Sequence, residues 1–338
     1  MESHINEDIE SSSPNLMPRH RALIPTPCGP MKQCSDLSNL EKSFVTAAIL
    51  SLLAVIAVTI ESIVNQAKTG SGGQPQEDFT ISIVQLIGIV FCFYYVLRGT
   101  FQENRQELIA FILSILLVVV RSLVNFSSAT PNEREELKIR FGFILAFGFF
   151  LMAISAVYLV KSRSMMAFRV SGAMESHQSQ YLMMNLCFSM VTFDLQAQLC
   201  LCVLVLISGV YHISPEHSII LGVGIFWAFL KAAIGLIAIL KGKKFLVWIF
   251  MAQNLPELAY LGYLLHQVIT EWGLNETYVL EAGAVTGAFI SVAIKVGLVW
   301  SMIKVSRCFG QDLHERSSWL PHQNQNLPAG FTSLPYSE

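Results

Sequence analysis

Four ionisable residues interrupt long apolar stretches in the second half of this 338-residue chain: Asp194, Lys231, Glu257 and Lys295. Counted along a helix, each lies roughly 12 to 20 Å from the predicted cytosolic end of its segment, near the middle of a bilayer core about 30 Å thick. Charges at that depth are expensive and usually face a bundle interior or a water-filled cavity. Two acids and two bases at one level therefore predict either mutual ion pairs or a site for protons or small ions.

Three further polar positions extend this candidate intramembrane site: Gln198, Asn254 and Pro256. Pro256 directly precedes Glu257, and a proline inside a helix removes a backbone hydrogen bond and favours a kink. The freed carbonyl groups and the neighbouring carboxylate could bind a cation. Alternatively, Asn254 or a nearby hydroxyl satisfies the gap while Glu257 pairs with a lysine. The sequence is compatible with both interpretations.

The spacing of small and polar residues predicts that these charges face other helices. Lys231 lies on a stripe of small residues that allows close helix packing, formed by Gly224, Ala228, Gly235 and Ala238. In the segment that contains Asp194, one helical face carries Asn185, Ser189, Thr192 and Gln196, and roughly the opposite face carries Asp194 and Gln198. A helix with two polar faces should lie at the centre of the bundle.

The elements that carry these residues are long apolar blocks. Hydrophobic residues make up 53% of the chain and charged residues only 14%, against about 25% charged in an ordinary soluble domain. Eight blocks have the length of a membrane span: Phe44–Val64, Phe79–Leu97, Leu108–Phe126, Phe141–Val160, Tyr181–Tyr211, Ser218–Leu240, Phe245–Ile269 and Ala282–Ile303. Lipid offers no partner to backbone groups, so such blocks form helices. The predicted fold class is all-α, a polytopic integral membrane bundle of about eight transmembrane helices.

The positions of Lys and Arg predict the orientation and the domain boundaries. With both termini in the cytosol, fifteen Lys and Arg residues lie inside and four outside, as the positive-inside rule requires. Residues 1–43 and 304–338 are polar, lack periodicity and are predicted to be disordered cytosolic tails, flanking a transmembrane domain at 44–303. We find no cleavable signal peptide, so the first helix should act as the signal anchor. A eukaryotic secretory-pathway or plasma membrane is the expected location.

Three positions are candidates for covalent modification. The sequons at Asn125 and Asn275 both fall in predicted outside loops, and Asn275 is the better glycosylation candidate because Asn125 abuts its helix. Cys308 lies among basic residues beside the last helix, where it is either palmitoylated or an ordinary cytosolic thiol.

Signatures of catalysis and of cofactor or metal binding do not occur in the sequence. Asp194 is the only aspartate inside a predicted span, so a paired-aspartate protease is excluded. There is no Gly-x-Ser-x-Gly, His-Glu-x-x-His, Cys-x-x-Cys or phosphate-binding loop, and the low charge excludes a nucleic-acid partner. We therefore expect no enzymatic activity, no cofactor and no metal.

The run Tyr181-Leu-Met-Met-Asn-Leu-Cys-Phe-Ser-Met-Val-Thr-Phe-Asp194, followed by Gln196 and Gln198, resembles a signature of an uncharacterised family of multi-pass membrane proteins from fungi and animals. The sequence departs from that signature because it lacks a lysine before Phe193 and a phenylalanine-rich stretch after Asp194. The resemblance implies no activity, but it draws attention to Asp194.

Two functional hypotheses follow. In the first, the chain is a transporter or channel for a small solute or ion, coupled to protons through the four charges. In the second, it is a non-catalytic scaffold in which the charges only fix helix register and the polar tails recruit cytosolic partners. A receptor is a third hypothesis, which is disfavoured because the short outer loops offer little surface for a large ligand. Direct acid-to-lysine contacts favour the scaffold, whereas an aqueous vestibule reaching an unpaired carboxylate favours transport.

Overall fold

The computed structural model describes residues 24, 26, 29–69, 75–128, 134–161, 175–208, 215–270 and 278–308. After a short 3-10 helix at Cys34–Asp36, the helices are α1 (Asn39–Thr69), α2 (Pro75–Phe101), α3 (Arg105–Ser128), α4 (Arg134–Lys161), α5 (Glu175–Ser208), α6 (Pro215–Lys241), α7 (Lys244–Thr270) and α8 (Tyr278–Cys308). Within these residues the only extended pairing is a single bridge between Ile24 and Met31. The all-α prediction is confirmed.

Seven of the eight helices contain a stretch long and apolar enough to cross a membrane. These stretches are Asn39–Glu61, Ser82–Phe101, Arg105–Leu123, Lys138–Lys161, Gln178–Val203, Gly222–Lys241 and Val285–Arg307. Helix α7 is not among them because Gln253, Asn254 and Glu257 interrupt the apolar run in its middle. The prediction of eight apolar spans therefore holds for seven helices.

The helices pack as two consecutive four-helix groups. Helices α1 to α4 form a ring in which each contacts the next and α4 returns to α1, and helices α5 to α8 form a second ring of the same kind. Helix α5 also packs against α2 and α3, and α3 against α8, which joins the groups. Helix α5 is therefore central, as its two polar faces predict.

Each group has its own apolar core. The first core is centred on Phe44, Phe111 and Ile144, and the second on Phe250 and Leu298, all nearly inaccessible. The outer surface exposes many large apolar side chains, among them Phe149, Phe226, Trp248, Leu255 and Phe289. A soluble protein rarely exposes so much contiguous apolar surface, so the outside of the bundle suits contact with acyl chains.

Gly235 of α6 sets the distance between α6 and α7. A Cβ atom at this position would lie 2.7 Å from Cε2 of Phe250, whose ring is fully buried. We expect Gly235→Ala to lower the free energy of unfolding by about 1–3 kcal/mol, because the added methyl group would force the buried ring to shift. Thermal unfolding in detergent measures this, with Gly222→Ala as the control, since nothing lies within 4 Å of a Cβ there. An unchanged midpoint for Gly235→Ala would contradict the close approach.

Helices α1 and α8 extend into the two predicted tails. Helix α1 begins at Asn39 rather than after residue 43, and residues 29–38 pack against the turn between α2 and α3. Helix α8 continues to Cys308. Asn275 lies outside the described residues, and the side chains of Asn125 and Cys308 are likewise not described, so the modification predictions stay predictions.

Candidate functional site

The four ionisable residues singled out in the sequence meet inside the second helix group. Asp194 lies on α5, Lys231 on α6, Glu257 on α7 and Lys295 on α8. The Nζ atom of Lys231 lies 2.6 Å from Asp194 Oδ2 and 2.5 Å from Glu257 Oε2. The Nζ atom of Lys295 lies 3.1 Å from Asp194 Oδ1 and 2.5 Å from Glu257 Oε2. We call these four residues the charged quartet.

The two acids are held in different ways. Asp194 offers one oxygen to each lysine, whereas Glu257 receives both lysines on Oε2 alone. Gln198 Nε2 also donates to Glu257 Oε2, at 2.8 Å, and to Asp194 Oδ2, at 2.7 Å. Glu257 Oε1 is enclosed and has no hydrogen-bond partner in the described part of the chain. Glu257 is therefore attached through a single oxygen with three donors.

The quartet is almost completely removed from solvent. The side chains of Asp194, Lys231 and Lys295 are 2 to 3% exposed, and that of Glu257 is 13% exposed. With all four groups ionised the formal charges cancel. Mutual neutralisation explains how the bundle tolerates them, because an unpaired charge in the same place would be strongly destabilising.

The structure places Asn254 and Pro256 beside the quartet but gives them no contact within it. Helix α7 continues through Pro256, whose missing N–H leaves the carbonyl of Ala252 without its usual donor. Asn254 Nδ2 donates instead to the carbonyl of Phe250, at 2.9 Å, so Asn254 does not fill the backbone gap. Of the two interpretations of this region, the structure displays the pairing of Glu257 with lysines.

The opposite face of α5 binds the first helix group. Gln196 Oε1 accepts hydrogen bonds from Tyr95 Oη, at 2.9 Å, and from Ser114 Oγ, at 3.1 Å. Gln196 and Asp194 are two residues apart on one helix, yet Gln196 contacts the first helix group and Asp194 contacts the second. The two polar faces predicted for α5 are confirmed.

A second polar cluster, at the turn between α2 and α3, escaped the sequence analysis. Arg98 is buried and donates through Nη1 to Glu107 Oε1, at 2.8 Å, and through Nε to Gln102 Oε1, at 3.0 Å. Its guanidinium also lies 4.7 Å from the ring centroid of Phe188 on α5. Counting Lys and Arg for orientation treats Arg98 as a loop charge. The feature of the sequence that could have predicted this ion pair is Glu107. It lies nine residues after Arg98, across a turn short enough to bring the two side chains together.

Lys32 attaches the amino-terminal segment to the same turn. Its Nζ pairs with Glu41, at 2.9 Å, and with Glu103, and its backbone N–H donates to the carbonyl of Phe101. Burial alone would lower the pKa of Lys32, but hydrogen bonds and charge from the two carboxylates together raise it above its ordinary value. The stabilisation from this contact is thus complete below the unfolded pKa and is lost as pH rises through the raised value.

These features define an all-helical bundle with seven helices long and apolar enough to span a membrane and with a buried charge cluster in one of its two halves. The chain belongs to the family described as Domain of unknown function (DUF7789), whose profile matches residues 28–161 and residues 171–304. No curated protein and no solved structure matches the chain. The first matched range contains α1 to α4 and the second α5 to α8, so we call them the first and second copies.

The two copies can be placed in register from the structure. Both ends of the matched ranges differ by 143 residues, from 28 to 171 and from 161 to 304. With this shift each buried position among the described side chains of α6 falls on a buried position of α2: Ala228, Lys231, Ala232, Gly235, Ala238 and Ile239 correspond to Gln85, Gly88, Ile89, Cys92, Tyr95 and Val96. Helices α3 and α7 begin at Arg105 and Lys244, a shift of 139. With that shift each buried position among the described side chains of α7 falls on a buried position of α3: Val247, Phe250, Asn254 and Leu261 correspond to Leu108, Phe111, Ile115 and Ser122.

In this register the first copy carries no charge at the quartet positions. Asp194, Lys231, Glu257 and Lys295 correspond to Ser51, Gly88, Val118 and Met152. The register is supported independently, because a Cβ atom at Gly88 would lie 3.2 Å from Val118 Cγ2, in the place of the contact between Lys231 and Glu257. A ring of four helices with the same order of contacts thus forms in the first copy without charges at these positions.

Proposed function

We propose that the protein is an integral membrane transporter that moves a small solute or ion together with protons, with the charged quartet as its protonatable centre. The observation that carries this proposal is the difference between the copies. The first copy has uncharged residues at the four positions, which supports a role for the charges beyond register and packing. Ionisable groups within a membrane bundle are expensive and usually functional.

The organisation of the chain supports the same conclusion. Each copy contains four of the helices that the structure describes, so both copies start on the same side of the bilayer when each of these helices spans it. Parallel repeats of this kind recur among transporters. A change in the protonation of one acid would break the neutrality of the quartet, and the proline of α7 supplies a point at which that helix can move.

The proposal extends to the setting of the protein. Both termini lie in the cytosol of a eukaryotic secretory-pathway or plasma membrane, the bilayer is the main partner, and the polar tails recruit cytosolic proteins. The protein performs no catalysis and uses no cofactor. These statements rest on the charge distribution and on the residue patterns of the sequence.

Proton flux in liposomes tests the proposal. Full-length protein is reconstituted with a pH-sensitive dye trapped inside, and flux is followed after an external acid jump. We expect flux above that of empty liposomes, and a loss of at least about tenfold in Glu257→Gln and Asp194→Asn, because each change removes a proton-binding group. Glu107→Gln, which alters a buried, ion-paired acid of the first copy, is the matched control and should retain flux. Wild-type flux equal to that of empty liposomes with every candidate solute would refute transport.

One observation favours the scaffold as a second candidate function. Each lysine contacts both acids, which is the geometry expected of charges that only hold helices together. The flux experiment separates the two candidates, because a scaffold predicts identical proton permeability for wild type, Glu257→Gln and Asp194→Asn.

A further inference from the structure

We propose that the quartet is a binding site for one small monovalent anion, taken up together with one proton. This inference rests on the proposed function and names its substrate class. In the structure, Lys231, Lys295 and Gln198 form a cage of donors, and Oε2 of Glu257 occupies it.

The cage has the geometry of an anion site. Two ammonium groups, each 2.5 Å from Oε2, and an amide N–H donor at 2.8 Å converge on this one oxygen. The three donors come from α5, α6 and α8, whereas the oxygen comes from α7. Charge-assisted donors that converge on a single point recognise carboxylate and similar anions strongly. Glu257 therefore stands in the place that an external anion would take.

Asp194 is the fixed counter-charge of the cage. Its Oδ1 accepts from Lys295, and its Oδ2 accepts from Lys231 and from Gln198. These contacts do not involve Glu257, so all three donors stay in place when Glu257 leaves. Asp194 thus keeps the three donors in place while an external anion replaces Glu257.

Glu257 is the acid suited to leave. It is bound through one oxygen, its Oε1 has no partner within the described residues, and its side chain is the most exposed of the quartet. It also follows Pro256, so the backbone hydrogen bond nearest to it on α7 is already missing. A neutral carboxylic acid would no longer hold two ammonium groups on one oxygen.

Charge balance fixes the stoichiometry. The groups that face Glu257 are Asp194 from α5, Lys231 from α6 and Lys295 from α8, and the thiol of Cys202 on α5 also lies within electrostatic range. The ionised quartet is neutral and offers no net attraction to a metal cation. A proton on Glu257 leaves one net positive charge, and a monovalent anion restores neutrality. One proton therefore accompanies one anion.

Calorimetric titration of sodium nitrate into the purified full-length protein tests this site. Because one proton is taken up per anion, the apparent Kd of the wild type should fall as the pH is lowered, by up to about tenfold per pH unit. Glu257→Gln imitates the protonated acid and should bind nitrate with a Kd independent of pH. Lys231→Met and Lys295→Met should lose binding, and Glu107→Gln should follow the wild type. Size-exclusion chromatography verifies that each variant is folded.

Two results would overturn the anion site: a wild-type Kd that does not change with pH, or a Glu257→Gln variant that binds nitrate no more tightly than wild type at neutral pH. The proposed function fails separately. Proton flux that persists in liposomes without any permeant anion leaves transport standing and removes the anion site. Nitrate binding without proton flux leaves the anion site standing and removes transport.

Discussion

Removing one charge of the quartet is expected to destabilise the protein far more than removing all four. Lys231→Met leaves two buried acids with a single base, and a buried charge without its partner lowers the free energy of unfolding by about 3–5 kcal/mol. The quadruple variant Asp194→Asn, Lys231→Met, Glu257→Gln, Lys295→Met removes every charge and keeps the volumes. Because replacing a whole buried ion pair by groups of similar volume is often neutral or stabilising, we expect it to unfold at or above the wild-type midpoint.

Thermal unfolding in one detergent, at one protein concentration, measures the difference. Lys241→Met, at the exposed end of α6, serves as the control and should shift the free energy of unfolding by less than about 0.5 kcal/mol. A quadruple variant less stable than Lys231→Met alone would mean that the second copy needs its charges in order to fold. That outcome would favour the scaffold.

Arg98→Met is expected to lower the free energy of unfolding by about 3–5 kcal/mol. The change leaves the fully inaccessible carboxylate of Glu107 without its cation. It also removes the hydrogen bond to Gln102 and the contact with the ring of Phe188 across the copies. Arg98→Lys should recover only part of the loss, because an ammonium group cannot reproduce the planar fork of the guanidinium.

The double variant Arg98→Met, Glu107→Gln separates charge from packing. It should be more stable than Arg98→Met alone, since the unpaired acid is gone, and thermal unfolding of the single and double variants completes the cycle. Lys241→Met, at the exposed end of α6, is again the control. If Arg98→Met behaves like Lys241→Met, the contact between Arg98 and Glu107 does not stabilise the fold.

The helices and the membership of the quartet could be predicted from sequence for simple reasons. Apolar blocks long enough to cross a bilayer form helices, because lipid offers no partner to backbone groups. The penalty for burying an unpaired charge requires Asp194 and Lys231 to contact partners of opposite charge. Period and face assignment also predicted that Gln196 and Asp194 point to different neighbours. Which oxygen each lysine contacts depends on side-chain geometry, and no residue pattern encodes it.

The features that escaped prediction have a common cause. Arg98 and Lys32 lie near helix ends, where charged residues are ordinarily solvated and carry no sign of burial. The duplication was missed because the copies share a pattern of buried positions rather than residue identities: Gly88 stands where Lys231 does, and Val118 where Glu257 does. The family profile detects both copies, and the packing shows which buried positions they share.

Helix α5 has a mechanical consequence for the whole molecule. Its Asp194 forms ion pairs with Lys231 and Lys295 of the second copy, and its Gln196 accepts hydrogen bonds from Tyr95 and Ser114 of the first. Over two residues a helix behaves as a rigid rod, so a rotation or axial slide that displaces the carboxylate displaces the amide equally. Under the proposed function, a change in the protonation of the quartet would therefore be transmitted to the first copy through α5 itself.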